Sequence, residues 1–105
     1  MARFDVYRNS GAHAAAVPFL VEVQSDLLEP LETRVVIPLR RVSRFPTSQF
    51  PSRLTPIFEI EGASCFLETP KIAAVPRRLL KIRVGTLQEQ QGAITAALDF
   101  LFQGF

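Results

Sequence analysis

The chain is poor in the residues that enzymes and metal sites most often use. Among its 105 residues there is one cysteine, one histidine and no tryptophan. A lone thiol, Cys65, excludes an intramolecular disulfide and any zinc site built from several cysteines. Cys65 alternates with Ala63 and Leu67, so it reads as a small buried hydrophobe on a strand rather than a nucleophile. His13 stands in an alanine-rich stretch with no carboxylate nearby in sequence; it lacks the partner that a general base needs and reads as a surface or loop residue. The five glycines are scattered singly, which leaves no phosphate-cradling loop. Glu59, Glu61 and Glu68 lack the spacing of metal ligands. No catalytic constellation emerges, and no metal or organic cofactor is indicated.

Long apolar runs are missing as well. The longest, residues 12–21, is interrupted by His13 and Pro18, and residues 1–8 alternate instead of forming a continuous apolar segment. Neither a membrane span nor an export signal is expected, and the default is one small soluble, cytoplasmic domain over residues 1–105. A domain of this size buries only about two-thirds of the surface its unfolded chain exposes, so oligomerisation would add useful stability. Net charge is also small, +2, too little to mark a dedicated nucleic-acid binder. The basic excess is local: Arg40, Arg41 and Arg44 form one cluster, and Arg77, Arg78, Lys81 and Arg83 another. Each suits either a solvated sheet edge or an acidic partner.

What the chain does have is apolar content, 48%, arranged mostly with a period of two. Residues 3–7 alternate, with Phe4 and Val6 on one face and Arg3, Asp5 and Tyr7 on the other, as in a half-buried strand. Residues 17–24 resume the pattern, with Phe19, Val21 and Val23 opposed by Leu20, Glu22 and Gln24; residues 25–30 close it as a turn or loop. Residues 34–39 form a third strand with Val35, Ile37 and Leu39 on one side. Pro38 cannot donate to a ladder, so that strand should end, bulge or lie at an edge there. Residues 40–55, with Phe45-Pro46 and Phe50-Pro51, read as a long connection. Residues 56–60 and 63–68 flank Glu61-Gly62 as a hairpin, 69–76 as a loop or single turn, and 79–84 as a last strand with Leu80, Ile82 and Val84 facing one way.

The period then changes. Thr86-Leu87-Gln88-Glu89 fits a capping box, and Leu87, Ile94, Leu98 and Leu101 recur at helical spacing, which predicts a helix over residues 87–102 stopped by Gly104. Strands followed by one C-terminal helix, without βαβ alternation, imply a mainly antiparallel β fold. Three phenylalanines, Phe100, Phe102 and Phe105, crowd the last six residues. Phe100 and Phe102 point about 200° apart on a regular helix, so at least one faces something other than the chain's own core. Leu27 and Leu28 sit together at an expected loop tip.

These residues resemble a family. Val21-Glu22-Val23-Gln24-Ser25-Asp26-Leu27-Leu28 and Arg34-Val35-Val36-Ile37-Pro38-Leu39 are similar to the paired signatures of CcdB-type toxins of bacterial toxin–antitoxin modules. Phe4-Asp5-Val6-Tyr7, Ala73-Ala74-Val75-Pro76 and the helix that closes on an aromatic, one residue, a glycine and an apolar terminus follow in the same order, so the resemblance spans essentially the whole chain. It implies an SH3-like barrel of antiparallel strands with a C-terminal helix, assembled as a symmetric homodimer. It also implies a non-catalytic toxin that binds the A subunit of DNA gyrase and traps the cleaved-DNA complex. The disordered segment of a CcdA-like antitoxin would neutralise it, and the pair would repress its own operon, so that DNA is met only through that complex.

Carried over by position, the resemblance implies gyrase contacts at Asp99, Phe102, Gln103, Gly104 and Phe105, with Leu27 and Leu28 from the loop. Gln103 stands where the family pattern has tryptophan, and Asp99 where it has an asparagine-like position. An acidic antitoxin segment could meet Arg40, Arg41 and Arg44, or the second basic cluster. Two alternatives share the fold: an mRNA-cleaving endoribonuclease, which would draw on His13, Arg77 and Arg78, and a non-toxic homologue that keeps only antitoxin binding.

Overall fold

The computed structural model of the chain describes residues 2–42 and 50–104. Seven strands run in chain order: β1 (Asp5–Arg8), β2 (Phe19–Glu22), β3 (Thr33–Arg41), β4 (Ile57–Ile60), β5 (Ala63–Leu67), β6 (Ala73–Pro76) and β7 (Arg83–Thr86); a single α-helix, α1 (Gln91–Gln103), closes the chain. The sheet order is β4-β5-β3-β2-β1-β7, with β6 added alongside β3. Every pairing is antiparallel. The sheet curls into a half-barrel whose edges, β4 and β7, flank an open cleft of about 520 Å³. Arg8 at the end of β1 reaches Glu61 at the β4–β5 turn, 3.0 Å away.

The concave face holds the core. Phe4, Val6, Phe19, Val21, Val23, Ile37, Leu39, Phe58, Ile60, Cys65 and Leu67 from the strands and the residues flanking them meet Leu87, Ile94 and Ala97 from the helical end. The alternation of β2 and β3 survives intact: Val21 pairs with Ile37 and Phe19 with Leu39, each pair on the core face. The opposite face is not open to solvent as the pattern of residues 3–7 implied. Tyr7, Val36 and Leu80 form a second, smaller core there, and Asp5, Glu22, Gln24 and Arg34 are buried beside them. Strand β1 is thus buried on both faces.

Four local expectations are corrected. Strand β3 runs straight through Pro38 in the middle of the sheet. Its carbonyl accepts from Glu68 N, so its nitrogen faces the same side, at the join where β6 stops at Val36 and β5 starts at Leu39. The missing N–H falls opposite the Glu68 carbonyl, which takes its donor from Lys71 N instead. Residues 69–76 are more than a loop: after a 3₁₀ turn at Thr69–Lys71 they become β6, in register with β3 from Val36↔Ala73 to Thr33↔Pro76.

The last strand starts later than residue 79, because Arg77–Leu79 is a 3₁₀ turn. A bulge between Val6 and Tyr7 then shifts the register, and Ile82, expected beside Leu80 and Val84, is 57% exposed. The capping box does not form either. Thr86 ends β7 paired with Asp5, and its hydroxyl accepts from Gln88 N instead of the third helical amide. A 3₁₀ turn at Gln88–Gln90 intervenes, and α1 begins at Gln91 rather than Leu87.

The turns that were anticipated are there. Glu61 and Gly62 have φ of 51° and 79°, the two positive values that a type I′ hairpin demands. Gly104 ends the helix in the left-handed region, φ 81°, with its amide on the Phe100 carbonyl. The connection over residues 40–55 lies partly outside the described residues; within it, Pro51 accepts from the amides of Leu54 and Thr55 in a turn.

Candidate partner-binding site

The loop tip is built by a short capped turn. Ser25 accepts the Leu27 amide on its hydroxyl at 3.2 Å and opens a single 3₁₀ turn, Asp26–Leu28. Asp26 accepts from the Arg3 amide at 2.7 Å, which ties the tip to the chain just before β1. Neither leucine tucks back: Leu27 is 92% exposed and Leu28 47%. Leu31, which the sequence did not single out, adds a third exposed leucine on the same loop.

The helix end forms the second patch. Ile94 and Ala97 are buried, Leu98 packs against the core and Phe100 is half-buried, so α1 commits that side to the sheet. Asp99 and Phe102, three residues apart and neighbours on the helix surface, are exposed, with Gln103 and Gly104 exposed beyond them. Phe102 is the outward aromatic, at 71% exposure. Phe105 lies outside the described residues. Tip and helix end are held by different parts of the fold: the tip by Arg3 and by buried polar side chains under the sheet, the helix by the Thr69–Lys71 turn and by Arg53.

The basic cluster at the end of β3 is partly committed within the chain. Arg40 Nε is 3.1 Å from Glu68, and Arg41 Nε donates to the Ala15 carbonyl at 3.1 Å. Arg44 lies outside the described residues. In the second cluster, Arg77 donates to the carbonyl and carboxylate of Glu29, and Arg83 pairs with the buried Asp5 at 3.1 Å. His13 is exposed in a turn, its carbonyl accepting from Val17 N. Cys65 is buried and its thiol is pushed up by desolvation, against a small opposing pull from Arg41. Among the described residues there is no cluster of three or more histidine, cysteine, aspartate or glutamate side chains able to hold a metal.

Sequence reasoning missed what lies under the tip. Glu22 on β2 and Arg34 on β3 are 1% and 0% exposed, on the convex face of the sheet. Their closest approach, Glu22 Oε1 to Arg34 Nε, is 3.9 Å, too long for a hydrogen bond, and neither atom has another partner. Burial raises the Glu22 carboxyl above its ordinary value, with Arg34 acting in the other direction. The only sequence signal was a pair of opposite charges, Glu22 and Arg34, beside the apolar stretches of β2 and β3.

A family model described as CcdB protein matches residues 3–104 of this chain. The chain belongs to the CcdB family. A mostly antiparallel half-barrel with one C-terminal helix is in keeping with that family, and membership makes the chain a toxin of the toxin–antitoxin type, with an antitoxin as its class of partner. As a CcdB-family protein it presents two leucines and a phenylalanine where the family resemblance implied contacts. No helix among the described residues is long and apolar enough to cross a membrane.

Proposed function

We propose that this protein is a gyrase poison. As a symmetric homodimer it binds the A subunit of DNA gyrase through Asp99, Phe102, Gln103, Gly104 and Phe105, assisted by Leu27 and Leu28, and holds the cleaved-DNA complex without catalysing a reaction. Phe102 carries this reading: a phenylalanine 71% exposed, in the last turn of the only α-helix among the described residues, is of little use to the chain itself. Burying it fully against a partner contributes roughly 1.5–3 kcal/mol, and Leu27 offers a comparable gain. Gln103 supplies no aromatic anchor, which leaves Phe102 and Phe105 to carry more of the binding. Occupying a surface that exists in only one state of the gyrase cycle is enough to trap that state, since a ligand shifts an equilibrium by its differential affinity.

The antitoxin reading follows from charge. An acidic, disordered antitoxin segment meets Arg40, Arg41 and Arg44 and folds on binding, and the toxin–antitoxin complex represses its operon. Because Arg40 already has Glu68 beside it, a carboxylate of the segment gains least where it must displace that contact.

The test is a cleavage assay with supercoiled plasmid, gyrase, ATP and purified protein, scored for linear DNA after denaturation. Linear product is expected with the full chain and is expected to vanish with Phe102→Ala and with a chain truncated before Gln103. No linear product from folded protein at micromolar concentration overturns the proposal.

A further inference from the structure

Leu27 and Leu28 stand out from the sheet on a turn whose last carbonyls are held from beneath by a buried arginine. Arg34 Nη1 donates to the Leu28 carbonyl at 3.2 Å, and Nη2 donates to the Glu29 carbonyl and lies 3.5 Å from the Glu29 carboxylate. Gln24, buried next to it, donates to the same Leu28 carbonyl at 3.3 Å while its own oxygen accepts from Val35 N at 3.0 Å. Arg77 closes the far side, with Nη1 on the Glu29 carbonyl at 3.3 Å. The last carbonyls of the turn therefore converge on two side chains anchored in β3 and at the end of β2, the most central strands of the sheet.

The partition of Arg34's donors is informative. A buried arginine kept for an ion pair would close on Glu22 with a direct hydrogen bond, because a desolvated pair must recover the cost of leaving water. Here Nε stops 3.9 Å short of Glu22, and both terminal nitrogens go to the loop backbone. Glu22 balances the charge from a distance, and the fork of the guanidinium holds the loop. Arginine suits this because its two terminal nitrogens diverge in a fixed plane and can grip successive carbonyls, which a lysine ammonium cannot do with the same geometry.

We infer that Arg34 is a positioning residue: with Gln24 it sets the height and orientation of the Leu27–Leu28 tip, and so governs affinity for the partner that takes up those leucines. The inference rests on the gyrase reading for the identity of that partner, while the effect on the tip itself stands apart from it.

The experiment measures amide hydrogen exchange and gyrase A-subunit affinity on the dimeric full chain for Arg34→Lys, Gln24→Met, Leu27→Ala and the Arg34→Lys/Leu27→Ala double variant. Lysine keeps the charge opposite Glu22 but loses the fork. Exchange of the Leu28 and Glu29 amides is expected to rise at least tenfold in Arg34→Lys and in Gln24→Met, with the amides of Val21 and Ile37 unchanged. Affinity is expected to fall about tenfold in Arg34→Lys, and the double variant is expected to be no weaker than Leu27→Ala, since both act through one contact. Unchanged exchange at the tip overturns the positioning role, and so does full additivity in the double variant. Should Leu27→Ala bind gyrase as well as the parent, the gyrase reading of the tip fails on its own, and the exchange result still decides what Arg34 does. Gln24→Met keeps the exchange arm decisive if Arg34→Lys does not fold.

Discussion

Phe100 and Phe102 stand two residues apart on α1 and meet opposite surroundings: the Arg53 guanidinium lies 5.7 Å from the centre of the half-buried Phe100 ring, whereas Phe102 is 71% exposed. One helix therefore carries an aromatic that serves the fold and another that is left exposed.

The two should part in mutagenesis. Phe102→Ala is expected to change stability by less than about 0.5 kcal/mol, as surface substitutions do, while removing gyrase binding. Phe100→Ala loses packing against the fold and a cation–π contact, and is expected to cost on the order of 1–3 kcal/mol. Urea denaturation followed by far-UV circular dichroism gives both numbers, and equal destabilisation by the two substitutions would contradict the division of labour.

Gly104 supplies the stop that leaves Phe102 in the last helical turn. Its φ of 81° is open to glycine and costly for a residue with a Cβ, although a Cβ there would meet no other atom. Gly104→Ala should therefore lower stability by about 1–2 kcal/mol through backbone strain alone. Gly104→Asn should recover part of that loss, because asparagine tolerates the left-handed region. Thermal melts of the three chains check the order, and an alanine variant as stable as the parent would mean that the terminus relaxes out of this conformation.

How much of this was legible beforehand depends on whether the determining interactions were local. The core faces of β2 and β3 follow from alternation, and Glu61-Gly62 and Gly104 were readable because positive φ selects residue type. Pro38 misled because its effect depends on which neighbour lies opposite, and the switch from β6 to β5 is a tertiary fact. Strand β6 was hidden for a similar reason: Ala73-Ala74-Val75-Pro76 has little strand propensity of its own and is held by its pairing with β3. The capping box lost because Thr86 was already committed to β1. At the candidate site the exposed leucines and the helix end were visible as unexplained apolar residues. Arg34 was not, since nothing in its spacing announces that a guanidinium on a convex face will be roofed over.

Cys65 gives a direct probe of the core. It is fully buried between β-strands, and desolvation keeps its thiol protonated above the ordinary cysteine range. Labelling by a disulfide-exchange reagent at neutral pH should be slow in the native protein and complete on unfolding, so that its rate reports opening of the sheet. Cys65→Ser places a hydroxyl there and is expected to cost about 1–3 kcal/mol. Fast stoichiometric labelling of the native protein would be inconsistent with this burial.

Glu22 gives a pH dependence whose sign can be worked out in advance. Burial is the main influence on its carboxyl and raises its pKa in the folded state, with Arg34 opposing. The folded chain therefore holds this proton more tightly than the unfolded chain does. By linkage, the group's contribution is full below its unfolded pKa and is lost as pH rises through the folded value. Other groups contribute to the total pH dependence of stability, so the useful quantity is a difference. The stability of the parent minus that of Glu22→Gln should increase as pH is lowered from neutrality towards the ordinary glutamate pKa, then level off. Urea denaturation at intervals across that range measures it. A difference that shrinks on acidification would mean that attraction to Arg34, rather than desolvation, sets the charge state of Glu22 beneath the tip.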